Sequence, residues 1–124
     1  MFRVHFDPVH EVLEMRVEGT VREDEMQRFM QESLRAVREL RDQKRSIRVL
    51  SDLRLLRAAS PEATEVLRQG QETAMRVMGS ARIAELVSSE VTTLQISRVA
   101  RQSGMERIVR RFSDEAEARR WLLE

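Results

Sequence analysis

Apolar and polar residues alternate with a period of two through residues 2–7 and again through residues 13–18. A period of two places successive side chains on opposite faces of a strand, so the pattern predicts two half-buried strands. The break at Asp7-Pro8 predicts a short turn between them, and hence an antiparallel hairpin. The apolar face of this hairpin consists of Phe2, Val4, Phe6, Leu13, Met15 and Val17.

A long helical pattern follows the hairpin. Thr20 and Glu23 have the spacing of a capping box, which predicts a helix start. Apolar residues then recur at every third or fourth position as far as Asp42, as in an amphipathic helix packed against a sheet. The apolar positions are Met26, Phe29, Met30, Leu34, Val37 and Leu40.

Three further helices have recognisable ends. Residues 60–62 read Ser-Pro-Glu, which is a cap, a first-turn proline and an acid, and Gly79 is a natural stop. Ser88 or Ser89 caps a third helix that ends at Gly104, and residues 113–115 cap a short terminal helix. The apolar positions of the third helix are Val91, Leu94, Val99 and Ala100.

Short apolar runs separate these helices and predict strands at residues 46–53, 82–87 and 107–112. The predicted order is therefore β-β-α-β-α-β-α-β-α. Strands that alternate with helices form right-handed crossovers and a largely parallel sheet. We expect a single α/β domain over residues 1–124, with helices packed on a single-layer mixed sheet that begins with an antiparallel hairpin.

Composition narrows the function classes. The chain has 124 residues, with 22 basic against 21 acidic side chains, and this balance argues against a nucleic-acid partner. The absence of cysteine excludes disulfides and thiolate metal sites. No apolar run approaches the length of a membrane span, and the N-terminus lacks a signal-peptide pattern.

Catalytic motifs are missing from the sequence. The chain has no glycine-rich phosphate loop, no Walker motif, no His-Glu-x-x-His and no Gly-x-Ser-x-Gly. The two histidines lie on the polar face of the first strand (His5) and in the hairpin turn (His10), and neither is near the serines at the strand ends. We therefore expect no enzyme, no metal and no cofactor.

Candidate binding residues lie where ligands meet open α/β sheets, beyond the carboxyl ends of the strands. Asp52 and Arg54 follow the central strand, while Ser60 and Ser89 begin the next two helices. Helix N-termini can accept an anion, although each serine can equally be an ordinary cap. Asp52 can equally form a turn, and Arg54 can pair with it.

One face of the third helix carries a row of polar residues that includes Gln95 and Arg98. These residues can line the same cleft or bind an anion. The alternative is that they form the solvated face of the helix.

Several segments together resemble the small bacterial SpoIIAA-like proteins of the STAS (anti-sigma-factor antagonist) superfamily. They are the alternating hairpin, Val-Glu-Gly at 17–19 before an acidic helix start, and Val-Leu-Ser-Asp-Leu at 49–53. The closing segment resembles the family's pattern of phenylalanine, capped turn, alanine and Trp-Leu, here Phe112 to Leu122. The resemblance covers nearly the whole chain.

This resemblance implies a cytoplasmic, non-enzymatic regulatory domain that binds a partner protein near the start of the second helix. Classical antagonists carry a phosphorylated serine in an Asp-Ser-(Ser/Thr)-Gly-like turn at that position. Here the turn lacks the glycine, and Ser60, which precedes a proline, is the only serine at the helix start. Ser60 is therefore the candidate phosphorylation site, with a plain helix cap as the alternative.

A second function remains open. Some relatives are suspected of binding lipids or other small apolar ligands, and the same fold could carry one in a pocket between helices and sheet. Methionine side chains adapt to irregular cavities, although they also serve as ordinary core filling. The methionines on predicted apolar faces are Met15, Met26, Met30, Met75 and Met78. A homodimer is compatible with either function.

Overall fold

A computed structural model describes all 124 residues of the chain. Its strands are β1 (Phe2–Asp7), β2 (Val12–Val17), β3 (Gly19–Val21), β4 (Ile47–Asp52), β5 (Leu56–Ala59), β6 (Ala81–Leu86) and β7 (Val109–Phe112). Its helices are α1 (Glu23–Asp42), α2 (Pro61–Met78), α3 (Glu90–Ser103) and α4 (Glu115–Leu123), and a 3-10 turn spans Met105–Ile108.

The main sheet has five strands in the order β1-β2-β4-β6-β7. β1 and β2 are antiparallel, and every other neighbouring pair is parallel. The predicted α/β class, the hairpin and the parallel remainder are thus confirmed. Each parallel crossover steps in the same direction along the sheet, so right-handed connections place α1, α2 and α3 on one face.

The two faces of the sheet have separate cores. The inner face carries α1, α2 and α3, whose apolar residues pack on inward-facing strand residues such as Leu13, Val49 and Ile83. The outer face carries only α4. Its buried residues Ala118 and Leu122 pack on Val12, Leu50, Ala84 and Leu86.

Two short strands were not predicted. β3 and β5 form a separate parallel pair where the sequence indicated a helix start and a linker. The predicted capping box is therefore wrong, because Thr20 lies in β3 and α1 begins at Glu23 after an uncapped Arg22. β5 contains two alanines and an arginine, which have little intrinsic strand preference, so this strand depends on pairing with β3.

The predicted caps of α2 and α3 are correct. The Ser60 hydroxyl accepts a hydrogen bond from the Ala63 N–H at 3.1 Å, and the Ser89 hydroxyl accepts one from Thr92 at 3.4 Å. Gly104 ends α3 with a φ of 86°, a left-handed conformation that favours glycine.

The predicted apolar face of α3 is wrong at its first turn. Val91 and Leu94 are 77% and 63% exposed, while the buried face of the helix carries Thr92, Ile96, Ser97, Val99 and Ala100. The first turn of α3 packs against the backbone of β5, where polar Thr92 finds a hydrogen-bond acceptor. The unexpected strand therefore rotates the apolar residues outward.

Candidate functional site

The carboxyl ends of the parallel strands meet at one edge of the main sheet, which we call the carboxyl edge (residues 52–60, 86–95 and 112–115). Leu53 N donates to Leu86 O at 2.9 Å, and Val87 N donates to Phe112 O at 3.0 Å. The loops after β4, β6 and β7 are therefore adjacent. This arrangement confirms that the predicted polar turns lie along a common edge.

Asp52 and Arg54 form a compact ion pair in the first of these loops. One carboxylate oxygen of Asp52 accepts from the Arg54 backbone N–H at 3.1 Å and from Nε at 3.0 Å, and the other accepts from Nη2 at 2.8 Å. The backbone contact is the predicted turn-forming role of Asp52. The hydrogen bond from the Arg54 side chain is the main reason why the pKa of Asp52 lies below its usual value.

This pair belongs to a wider charge network that joins three elements. Arg16 of β2 contacts Asp52 at 3.4 Å, and Glu115 at the start of α4 accepts from Arg54 at 3.3 Å. Arg119 of α4 in turn contacts Glu115 at 3.0 Å. The network fixes the β4 loop relative to α4 and leaves the Arg54 side chain about one-third exposed.

We expect Asp52→Asn to lower the free energy of unfolding at pH 7 by about 1–2 kcal/mol, because it removes charged hydrogen bonds. A lowered folded pKa contributes stability above the unfolded pKa, near 3.8, and that contribution is lost as pH falls through the folded pKa. Urea unfolding from pH 7 to pH 2.5 should therefore show the two proteins converging at low pH. A gap that is unchanged at pH 2.5 would contradict the electrostatic assignment.

The start of α3 is attached to the β4–β5 segment by three side-chain hydrogen bonds to backbone carbonyls. The Ser88 hydroxyl donates to Arg54 O at 2.9 Å, and Thr92 donates to Leu56 O at 3.3 Å. Gln95 donates to Ala59 O at 3.5 Å. Ser88 and Thr92 therefore have structural roles at this edge that sequence reasoning did not assign.

The candidate residues are brought together unequally. Asp52, Arg54, Ser89 and Gln95 lie along the contact between the β4–β5 segment and α3, and β5 leads directly into Ser60. Arg98 lies one turn further along α3, is exposed, and makes no hydrogen bond or ion pair. Its position fits the solvated-face alternative.

An apolar patch, consisting of Leu55, Val91 and Leu94, lies at the carboxyl edge. These side chains are 61%, 77% and 63% exposed. Thr92 donates a hydrogen bond to the carbonyl of Leu56, so the two segments that carry the exposed residues adjoin each other. The sequence pattern does not predict the patch, because Val91 and Leu94 have the helical spacing of residues that face a core.

An apolar cavity of about 100 Å³ lies between the inner face of the sheet and α1, α2 and α3. Its lining is mostly hydrophobic, and five of the seven methionines line it: Met15, Met26, Met30, Met78 and Met105. Four of these were predicted on apolar faces. Met105 was not among the predicted methionines, and Met75, which was, does not line the cavity. The polar members of the lining are Ser33, Ser51, Gln71 and Glu85.

Glu85 was missed by sequence reasoning and is buried. It follows Ile83 at strand spacing, so the period of two places its carboxylate on the inner face. Arg111 Nε lies 2.9 Å from one Glu85 oxygen, although neither atom has a well-directed hydrogen bond, and Arg111 also binds Glu106 through both terminal nitrogens. Burial raises the pKa of Glu85 despite the nearby guanidinium.

The structure contains no cluster of three or more histidine and acidic side chains placed to hold a metal ion. None of its helices is both long and apolar enough to cross a bilayer.

Comparison with known proteins agrees with the topology. No curated protein matches the chain. The model of the family described as SpoIIAA-like matches residues 12–123, a range that begins with β2 and includes α4 and every crossover between them. Because this match extends over most of the sequence and the mixed sheet agrees with a STAS fold, the chain belongs to the SpoIIAA-like family.

Proposed function

We propose that the protein is a cytoplasmic, non-enzymatic regulatory domain of STAS type that binds a partner protein at the carboxyl edge, near the start of α2. Family membership supports the regulatory class. The observation that carries the location is the apolar patch, because large apolar side chains exposed on two adjoining elements are typical of an interaction site.

The surroundings of the apolar patch support this assignment. Protein interfaces combine an apolar centre with a polar periphery that supplies hydrogen bonds. Here the periphery offers the one-third exposed Arg54 side chain, held by Asp52, and the exposed side chains of Ser89 and Arg98. Gln95 and Thr92 hold α3 against β5, so the patch is presented on a fixed backbone.

Ser60 would supply regulation at this surface. Its hydroxyl is only partly buried and accepts from Ala63 N–H at the first turn of α2. A phosphate there would face the positive end of the helix dipole and would add negative charge close to the apolar patch. In this proposal phosphorylation weakens partner binding. Ser60→Asp, which keeps a good helix cap, should weaken capture of the partner as phosphorylation does.

The test is Leu94→Glu on the tagged full chain, with in-cell crosslinking followed by quantitative mass spectrometry. We expect at least one protein that crosslinks to wild type to lose about tenfold or more of its signal, because a charge is then placed at the centre of the interface. Stability should be unchanged within about 0.5 kcal/mol, because the side chain is exposed.

Val9→Glu is the matched control. Val9 is also an exposed apolar residue, 82% accessible, but it lies in the β1–β2 turn outside the carboxyl edge. It should retain the crosslinked partner at wild-type level. Equal loss in both variants, or no loss in Leu94→Glu, would contradict a binding surface at the apolar patch.

A second candidate function is supported by the cavity. Its volume of about 100 Å³ is below the roughly 300–1,000 Å³ of typical ligand pockets, but flexible methionines form much of the wall and could move to enlarge it. We propose a small apolar ligand or lipid chain as its occupant. Native mass spectrometry of protein purified from its own host should show an added mass that disappears on denaturation. Detection of only the mass of the unliganded protein would reject this candidate.

A further inference from the structure

The edge strand β1 presents unpaired backbone groups to solvent. Glu18 N donates to Met1 O at 2.7 Å, and Met1 N donates to Glu18 O at 3.0 Å, so these two residues form a hydrogen-bonded antiparallel pair. Such pairs alternate with non-hydrogen-bonded pairs along an antiparallel ladder. In the β1–β2 register, Arg3, His5 and Asp7 therefore bond to β2, while the N–H and C=O groups of Phe2, Val4 and Phe6 point away from the sheet.

The charges on this strand are unbalanced within the chain. Arg3 lies directly opposite Arg16 of β2 and has no ionic partner of its own. Like charges at directly opposite positions destabilise a sheet. Asp7 lies at the other end of β1. Its hydrogen bond with His10 lowers the pKa of the Asp7 carboxyl group and so favours the charged carboxylate. Arg3 therefore lacks a counter-charge, whereas the Asp7 carboxylate is held within its own turn by the Val9 and His10 N–H groups and the His10 ring.

We propose that β1 pairs antiparallel with β1 of a second copy of this chain, about a two-fold axis at His5, to form a continuous ten-stranded sheet. In this register Val4 and Phe6 exchange backbone hydrogen bonds with Phe6 and Val4 of the second copy. Arg3 then faces Asp7 of the second copy in a non-hydrogen-bonded pair, where side chains are closest. The two-fold axis generates this ion pair twice, and in each pair Asp7 supplies the counter-charge that Arg3 lacks.

The charges favour this register over the one centred on Val4. Moving the two-fold axis by one residue to Val4 would place Arg3 opposite His5 of the second copy, and both ion pairs would be lost. The other edge of the sheet, β7, has only four residues. Short edges are poor templates for pairing, so β1 is the edge suited to self-association.

The chain contains no cysteine, so single cysteines can report the register directly. In the proposed dimer His5 lies opposite its own copy, within the Cα separation that a disulfide spans. His5→Cys should therefore form a disulfide-linked dimer under mild oxidation at least about tenfold faster than Thr20→Cys, an exposed control on β3. Faster crosslinking of Val4→Cys than of His5→Cys would overturn the register, and equal rates for His5→Cys and Thr20→Cys would overturn the dimer.

Val4→Pro tests the backbone pairing. Proline removes an N–H that points away from β2, so β1–β2 pairing stays intact, as edge strands permit. Sedimentation of the wild-type chain should give twice the 14.5 kDa monomer mass, and Val4→Pro should raise the dissociation constant about tenfold or more at unchanged circular dichroism.

A wild-type monomer at 100 μM concentration, or a Val4→Pro dimer as tight as wild type, would overturn the proposal. Dimerisation through β1 does not depend on partner binding at the carboxyl edge. Leu94→Glu should remain a dimer, so failure at one surface is distinguishable from failure at the other.

Discussion

Replacing Arg111 by methionine is expected to lower the free energy of unfolding at pH 7 by about 3–5 kcal/mol, the usual effect of removing one member of a buried ion pair. Arg111 lies between two carboxylates, 2.9 Å from Glu85 and 2.8 Å from Glu106. Glu106 is one-third exposed and can be hydrated when the guanidinium is gone. Glu85 is only 8% exposed and cannot be hydrated, so its charge would be left buried without a partner.

Three comparisons check this explanation by urea unfolding. Arg110→Met changes the neighbouring arginine, which is exposed and lies over the Phe112 ring, and should cost less than about 1 kcal/mol. Adding Glu85→Gln to Arg111→Met should recover most of the loss, because the uncompensated charge is removed. Glu85→Gln alone should change stability little, because Arg111 keeps both of its hydrogen bonds to Glu106 and its charge stays paired.

The loss in Arg111→Met should also depend on pH in a defined direction. Burial raises the pKa of Glu85, and loss of the guanidinium removes the interaction that lowers it. An acid with a raised folded pKa destabilises the protein as pH rises above the unfolded value, near 4.5. The difference from wild type should therefore be largest at pH 7 and shrink towards pH 4. An equal loss at both pH values would point to packing rather than to charge.

Much of the fold could be predicted because local signals and tertiary structure agree. The alternation of the hairpin, the caps at Ser60 and Ser89, and the stops at Gly79 and Gly104 each act within a few residues. The order of elements then fixes the class of sheet, because parallel crossovers are right-handed.

The features that sequence reasoning missed depend on contacts between distant residues. Leu56–Ala59 becomes a strand only because β3 is beside it, and no local preference indicates this. The same pairing gives Thr92 a carbonyl partner and turns Val91 outward, contrary to its apolar character. The strand period predicts that Glu85 faces inward, but its partner Arg111 lies 26 positions further along the chain.

The candidate site, like the fold, could be predicted only in part from the sequence. Asp52 and Arg54 follow from strand ends, since any open α/β sheet brings such residues to one edge. The apolar patch beside them did not follow, because exposure is a property of the packed chain. The sequence therefore did not predict the surface on which the proposed function depends.

Replacing Leu122 by alanine is expected to cost about 2–5 kcal/mol and to detach α4 from the outer face of the sheet. The helix has nine residues, too few to be stable alone, and only Leu122 and Ala118 of it are buried. Leu122 is fully buried, so its truncation removes the main apolar contact of the helix and leaves a cavity. Urea unfolding gives the free energy, and hydrogen exchange should show lost protection in residues 115–123 before the rest of the chain.

Leu123→Ala is the matched control, because the neighbouring leucine is 54% exposed and should cost less than about 0.5 kcal/mol. The consequence should extend to the carboxyl edge. Glu115 at the start of α4 contacts Arg54, so a detached helix releases one of the two acids that hold this guanidinium. In Leu122→Ala, the Arg54 backbone amide should then exchange faster than in Leu123→Ala. Unchanged protection at Arg54 would show that Asp52 alone fixes the loop.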